Sequence, residues 1–448
     1  MGIELQLPAR ERITADVLKT LLPTRTVIVD DRRTRSRFFD GRFLAAKDLT
    51  REQTYFLTRQ AALARAVGSG VVDGLQVTVT SPTSLQIRPG YGLTPAGEEV
   101  VLPTGLTVDL AAVPEMQRLD AAFGLSSVPR EPARTRSGLF VLALRAVEFT
   151  ANPVGSYPTT LSGPRTVEDG DVIEATAVTL VPYADAGGDA DHRRGRVALE
   201  VFVHRGAVQA AGTALPLALL ALDRGLVSWI DPYLVRRDLR AAAGDGFGLG
   251  LAPAALREAH FRQYLQHLDD VLARRGAQGR RFAATDYFFA LPAAGRFPAA
   301  AVNPQDFTQT FFPPEVVVDL SVAPDDEVPA LIEESLLLPP IDLTTTTDGP
   351  SAEGVTALVP VPRAQFRRRL ASLTALPLRL RPAVPGLVVR RLPVEALGVL
   401  RLRLPGLPVP PPPPAVAPAE TADAGWRDAL ASVPFLWYLR SRALGERP

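Results

Sequence analysis

The chain has 448 residues, of which 46% are hydrophobic and 22% charged, and its formal net charge is +1. That length exceeds what a single core usually serves, and the near-neutral charge supplies no global field for nucleic acid or membrane lipid. Cysteine is absent, which excludes disulfides, thiol catalysis, iron–sulfur clusters and Cys-ligated zinc.

Residues 1–36 read as an arm with one short strand at 26–29. Met1 to Arg10 is polar and broken by Pro8, unlike a secretory leader. Only Lys19 and Lys47 are lysines. Arginine's planar fork suits bidentate ion pairs at interfaces, and a coding bias gives the same composition. The run Arg32-Arg33-Thr34-Arg35-Ser36-Arg37 reads as a solvated face or a contact for an acidic protein partner. Without a second basic patch or an RNA-reading motif it does not argue for nucleic acid.

A helix is predicted over 48–67, with Thr50 and Gln53 as a capping box and Leu49, Phe56 and Leu63 as one stripe. Gly68-Ser69-Gly70 ends it. Short strands follow at 71–72, 75–79, 85–87 and 99–102, punctuated by Gly74, Pro82, Pro89-Gly90, Gly92 and Pro95. These make a helix plus a small β-module over 37–110, and 111–136 is a link. A β-rich domain spans 137–235, with strands at 139–147, 172–181, 197–203, 217–222 and 226–230 and a loop over 183–194. The apolar run 215–222 is about half of what spanning a bilayer needs and reads as a buried strand.

A mixed α/β region covers 236–402. Its first helix, 253–274, starts at Pro253 and carries Leu256, Phe261, Tyr264, Leu268 and Val271 near helical spacing. Strands at 287–291, 316–322 and 355–359 and helices at 326–336 and 363–373 follow. The five prolines Pro410 to Pro414 favour polyproline II and make 403–420 a stiff linker. Beyond it the tail 421–448 carries Trp426, Phe435, Trp437 and Tyr438. So aromatic a tail must dock, on its own body or on a neighbour, and the linker favours the neighbour.

Nothing here composes an active site. His260 and His267 lie seven apart on a predicted helix, about 11 Å, too far to share a zinc ion. They and His192 and His204 read as surface or interface histidines. Asp325-Asp326-Glu327 is explained by capping of the following helix, since acidic residues suit its positive end. Gly244, Gly246, Gly248 and Gly250 lack the Lys-Ser/Thr ending of a phosphate loop and read as a connector. No nucleophile elbow occurs. The sequence predicts no catalytic residue, no cofactor and no metal.

An ordered pattern remains: Arg37-Phe38-Phe39-Asp40-Gly41-Arg42-Phe43-Leu44, then Asp48-Leu49 and Glu52-Gln53-Thr54-Tyr55-Phe56, then Gly70-Val71-Val72-Asp73-Gly74-Leu75-Gln76-Val77, then Pro89-Gly90-Tyr91-Gly92-Leu93, then Gly97-Glu98-Glu99-Val100-Val101. In this order it resembles proteins of phage tails and phage-tail-like contractile injection systems. Phe311-Phe312-Pro313-Pro314-Glu315, Pro329 to Ser335 and Leu338 to Leu343 also resemble a segment of large proteins from such systems. The end of the first helix departs from the family's pattern, with Ala62-Leu63-Ala64-Arg65 where a His-Asn pair is usual. From the residues alone, Asp40-Gly41 is a turn pair, and Phe38, Phe39 and Phe43 are apolar anchors expected to pin that turn onto the helix.

The expectation is therefore an α+β, β-rich multidomain protein that acts as a non-enzymatic structural adaptor. The resemblance implies a place in a particle assembled in the cytoplasm, at its baseplate, fibre or cap. Partners would be copies of itself (a homo-oligomer) and tube, sheath or baseplate proteins, with no nucleic acid and no integral membrane segment. A receptor-binding tail fibre or spike module and an unrecognised carbohydrate-processing enzyme are the alternatives.

Overall fold

The computed structural model describes residues 14–21, 23, 34–113, 136–156, 166–206, 212–239, 254–276, 279–344, 354–373, 376–383 and 424–441. The expected strand at 26–29, most of the link at 111–136, the glycines of 244–250 and the proline linker lie outside them. The described residues form seven α-helices and nineteen strands in five sheets, an α+β, β-rich multidomain fold.

The first body begins with α1 (Ala15–Leu21) and α2 (Ala46–Val67). Six short strands follow: β1 (Gly70–Gly74), β2 (Val77–Ser81), β3 (Ser84–Ile87), β4 (Gly90–Leu93), β5 (Glu99–Leu102) and β6 (Leu106–Asp109). They form two three-stranded sheets, β1-β4-β5 and β2-β3-β6. The long strands β7 (Gly138–Ser156) and β8 (Thr166–Tyr183) make a hairpin. It is extended by β9 (Ala214–Asp223) and β10 (Leu226–Asp231) into a sheet of order β10-β9-β7-β8.

Successive side chains of a strand face opposite sides, and here both sides are buried. Phe140, Leu142 and Leu144 of β7 join Leu75, Leu85, Ile87 and Val100 in one core. Leu139, Val141 and Ala143 join Val197, Val201 and Phe202 in another. A strand covered on both faces reads as an unbroken apolar run, which is why 215–222 is so apolar. A register shift opposite Leu142/Ala143 swaps the faces of β9, so Leu217 and Leu220 share one core while Leu219 faces the other. The segments 37–110 and 137–235 thus share a core rather than having one each.

Two elements correct the sequence reading here. Residues 197–203 are not a strand: α3 (Ala190–Ala198) runs on into a π-helical turn, Leu199–Val203. The helix starts within the expected loop, where Asp189 caps it through the Asp191 amide. Burial of Val197, Val201 and Phe202 against the sheet overrides their β propensity.

The second body begins with α4 (Ala254–Arg275). Its sheet has the order β12-β19-β17-β15-β18-β14-β13. In chain order these are β12 (Ala294–Pro298), β13 (Val302–Asn303), β14 (Thr308–Gln309), β15 (Val317–Pro324), β17 (Gly354–Val361), β18 (Leu378–Pro382) and β19 (Phe435–Ser441). The pair β11 (Ala290–Leu291) and β16 (Ile341–Asp342) stands apart. Three helices complete the body: α5 (Val328–Ser335) between β15 and β16, α6 (Arg363–Ala371) after β17, and α7 (Ala424–Ala431) before β19. The acidic run does not cap α5 through a side chain; Asp326 and Glu327 instead pair with Arg363 at the start of α6.

The tail docks on its own body, against the expectation that it reaches a neighbour. Strand β19 lies between β12 and β17, antiparallel to both. Trp426 is 0% exposed, and Leu436 and Tyr438 are fully buried with Phe297, Phe311 and Phe312. Trp437 and Phe435 point elsewhere: Trp437 packs with Ile332 and Leu358, and Arg296 sits 4.7 Å over the Phe435 ring. A seat in the middle of a sheet satisfies the backbone of both neighbouring strands as well as the aromatic side chains, which a contact with another protein would have to replace. Gly295 makes room for it, since a Cβ there would come within 2.7 Å of the Tyr264 and Tyr438 rings.

Candidate interaction surfaces

The turn before α2 is held by polar straps. Ser36 donates from Oγ to the Asp48 carbonyl at 3.1 Å and from its amide to the Glu52 carboxylate at 3.1 Å. Arg42 donates to Asp48 at 2.6 Å. Asp48 also accepts from the Ala45 amide at 3.2 Å, so it, and not Thr50 with Gln53, serves the helix start. Thr50 lies one turn inside and donates its hydroxyl to the Ala46 carbonyl. The Ala45 amide, with Arg42, holds the Asp48 carboxyl below its ordinary value. The far end of α2 rests on the β4–β5 turn, where Gly97, at φ +85°, lies so close that a Cβ would strike the Ala61 carbonyl. Arg65 donates to the Ala96 carbonyl at 2.7 Å.

Because the straps are polar, the aromatics are free. Phe38 is 56% exposed, Phe39 62% and Phe43 97%. They are not anchors onto the helix, as the sequence suggested. The stripe of Leu49, Phe56 and Leu63 also faces solvent, while Tyr55 and Asp48 supply the buried side of α2. Large apolar side chains are thus concentrated at the surface of the turn and of α2, which is where interaction sites are found. Asp40-Gly41 forms the expected turn, with Gly41 at φ +83°.

A second projection is the distal part of the β7–β8 hairpin. Strand β9 stops pairing with β7 at Arg145, and the hairpin continues to Ser156↔Thr166. The Thr176 hydroxyl ties its base to Val101 of β5, accepting from the amide at 3.1 Å and donating to the carbonyl at 2.9 Å. Beyond that point Phe149, Val154, Val167, Val172 and Ile173 are exposed. Sequence reading missed this arm. Its signal is the loss of apolar density after Arg145 in a strand that keeps pairing.

Between the two bodies lies a buried polar junction. Arg194 of α3 is 0% exposed and donates to Asp231 at 2.8 Å and to Asp270 of α4 at 2.7 Å. Gln263 donates to Asp231 at 3.1 Å, and Arg194 lies 5.3 Å over the Trp229 ring. Asp191 accepts from Arg274 at 2.7 Å and stands 3.8 Å from His267. Burial pushes the Asp231 carboxyl up against the pull of Arg194. Burial also raises Asp191, but His267 and Arg274 outweigh it and hold that carboxyl well below the carboxylate range.

His260 and His267 are fully buried, not surface or interface histidines. His260 stacks on Phe202 at 4.4 Å, and His267 meets the Phe288 ring edge-on at 4.8 Å. Burial lowers each to about 3, and Arg194 adds to the effect at His267. Both are neutral in the native state but protonate in the unfolded chain below about pH 6.5. Their stabilisation is therefore complete above that pH and is lost as pH falls toward 3. Asp231, raised, opposes them by one group at most. Stability should fall by about 1–2.4 kcal/mol between pH 6 and 5. Urea midpoints measured across that interval test this, and equal midpoints at both ends would contradict it.

The later motif segments form the seat of the tail. Phe312 meets the Tyr438 ring at 5.4 Å. Ser335 donates to the Ala293 carbonyl at 2.8 Å and accepts from the Arg440 amide at 3.1 Å. Arg440 also donates to the Pro339 and Pro340 carbonyls. An apolar groove of roughly 910 Å³ runs between α4 and α5, floored by Phe261, Ile332 and Trp437. Among the described residues no three His, Asp or Glu side chains gather as metal ligands would. No helix among them is long and apolar enough to cross a membrane.

No protein-family model matches the chain, and no curated protein does. Among solved structures it is similar to a crystal structure of TssK, at 12% identity and a TM-score of 0.23 over 44% of this chain and 41% of that one. It is also similar to a chain of the type VI secretion system TssK-TssF-TssG baseplate subcomplex, at 15% identity and 0.22 over 54% and 70%. A chain of the baseplate complex from the type VI secretion system gives 14% identity and 0.23 over 54% and 67%. This chain thus spans about two fifths of the TssK crystal chain.

Proposed function

We propose that this protein is a non-enzymatic structural adaptor of a phage-tail-like contractile injection system, assembling with its own copies and with tube, sheath or baseplate proteins. The ordered motif of residues 37–101 supplies the family resemblance, and the geometry divides that motif in two. Its glycines and valines build the frame, as where Gly74 pairs with Gly90 across β1 and β4. Tyr55 serves the frame, but the aromatics of the turn do not, and the exposure of Phe38, Phe39 and Phe43 at a strapped turn is the observation that carries the reading. Exposed aromatics on a rigid support are what an interface centre requires.

The test is a double variant, Phe39→Ser with Phe43→Ser, compared with the wild type for retention on purified particles of its own system. Both side chains are exposed, so the unfolding midpoint should stay within about 0.5 kcal/mol of wild type. Retention should fall at least tenfold, the effect of losing about 1.4 kcal/mol of binding. Unchanged retention would remove the turn from the interface. A large loss of stability would mean that the aromatics are core residues after all.

A further inference from the structure

The two projecting surfaces differ in charge. Residues 34–67, comprising the turn and α2, carry seven cationic residues against three acidic ones, a net +4. The distal hairpin strands, 147–156 and 166–175, carry Glu148, Glu168, Asp169, Asp171 and Glu174 and no cation. All five carboxylates are exposed. The segment joining the strands adds Arg165, so the arm stays strongly acidic.

They also match in size. Helix α2 has 22 residues, about 33 Å. The arm beyond Ala146 has ten residues on each strand, about 33 Å. Each side presents apolar groups to bury: Leu49, Phe56 and Leu63 on the helix, and Phe149 with its cross-strand partner Ile173 on one face of the arm. Within one chain both sets stay exposed, so neither covers the other. Helical spacing places Lys47, Arg51 and Arg65 on a stripe apart from the apolar one. That stripe lies on roughly the opposite side of α2 from Leu49, Phe56 and Leu63, so the cations act through the field, steering the acidic arm toward the helix rather than pairing with it across the apolar contact.

We infer that the acidic β7–β8 arm of one copy docks along the basic turn and α2 of a second copy. This deepens the self-assembly part of the proposed function and rests on it. The contact joins two different surfaces, so it either closes as a reciprocal pair, each arm on the other copy's helix, or propagates head to tail into a ring or filament. Charged side chains on the arm, two of them held by Thr150 and Asn152 across the hairpin, also discourage indiscriminate strand addition.

The experiment uses the purified full-length chain and reads its mass by light scattering at about 50 mM and about 500 mM salt. The wild type should self-associate at the lower salt, with affinity at least tenfold weaker at the higher. An arm variant (E168K, D169K, D171K, E174K) and a helix variant (R35E, R37E, K47E, R51E) should each be monomeric and keep wild-type circular dichroism. Mixed one to one, they should associate again, because each arm then meets a helix of opposite charge. A monomeric wild type, association unaffected by either variant, or a mixture that stays monomeric would each overturn the inference. If a variant loses its fold, the salt dependence of the wild type and neutralising variants (D169N with D171N) decide instead. Retention on particles by a protein monomeric on its own would sink this inference and leave the adaptor reading standing.

Discussion

A chain ending at Asp423 should lose the cooperative unfolding of its second body. That truncation removes α7 and β19, and with them a strand paired on both edges to β12 and β17. The backbone groups of those neighbours would be left without partners inside the body, and each buried unpaired group costs about 1–3 kcal/mol. It also removes Trp426, Leu436 and Tyr438 from a core that closes around them. Trp426→Ala alone should cost about 3–5 kcal/mol, a large part of the 5–15 kcal/mol that stabilises a domain. Chemical denaturation followed by tryptophan fluorescence and by circular dichroism reads both variants. A truncated chain that unfolds in the same transitions as the full chain would show that the tail is an accessory and not a core strand.

The second large effect is expected at the junction between the bodies. Asp231→Ala leaves the Arg194 guanidinium buried with one carboxylate, Asp270, which is itself partly exposed. Breaking a buried pair by removing one partner costs about 3–5 kcal/mol, mostly from the uncompensated charge. The change also removes the acceptor of the Tyr233 amide and of Gln263. Replacing the pair together, Arg194→Met with Asp231→Leu, should recover much of the loss, because an apolar pair leaves no fully buried charge stranded and Asp270 is partly exposed to solvent. The urea midpoints of the single and double variants measure this. A single variant within about 1 kcal/mol of wild type would mean that water or another group already serves Arg194.

Local rules made much of this architecture legible. Periodicity and glycine spacing located α2 and the small strands behind it, an unbroken apolar run located β9, and shorter valine- and leucine-rich segments located β15 and β17. Residues 197–203 escaped because Val-Ala-Leu-Glu-Val-Phe-Val carries strand propensity, and only the sheet and α4 packed around it explain a helical turn there. The tail escaped because a linker states how far a segment can reach, not where it binds. His260 and His267 were placed on one face by their spacing, but spacing does not say what covers a face. The same gap decided the turn before α2. The sequence identified Phe38, Phe39 and Phe43 as apolar, but the straps through Ser36, Arg42 and Asp48 make apolar packing unnecessary to hold the turn. The hairpin arm was read short, because strand prediction followed the apolar residues and stopped where they thinned.

The central claim, membership of a contractile particle, is tested most directly by purifying the tagged protein from its native cell. Negative-stain microscopy and mass spectrometry of the same fraction give the answer. Sheathed tubes carrying this chain, with tube, sheath or baseplate proteins in fixed ratio to it, are the predicted result. A fraction holding the chain alone, with no tube or sheath protein at any salt, would contradict it.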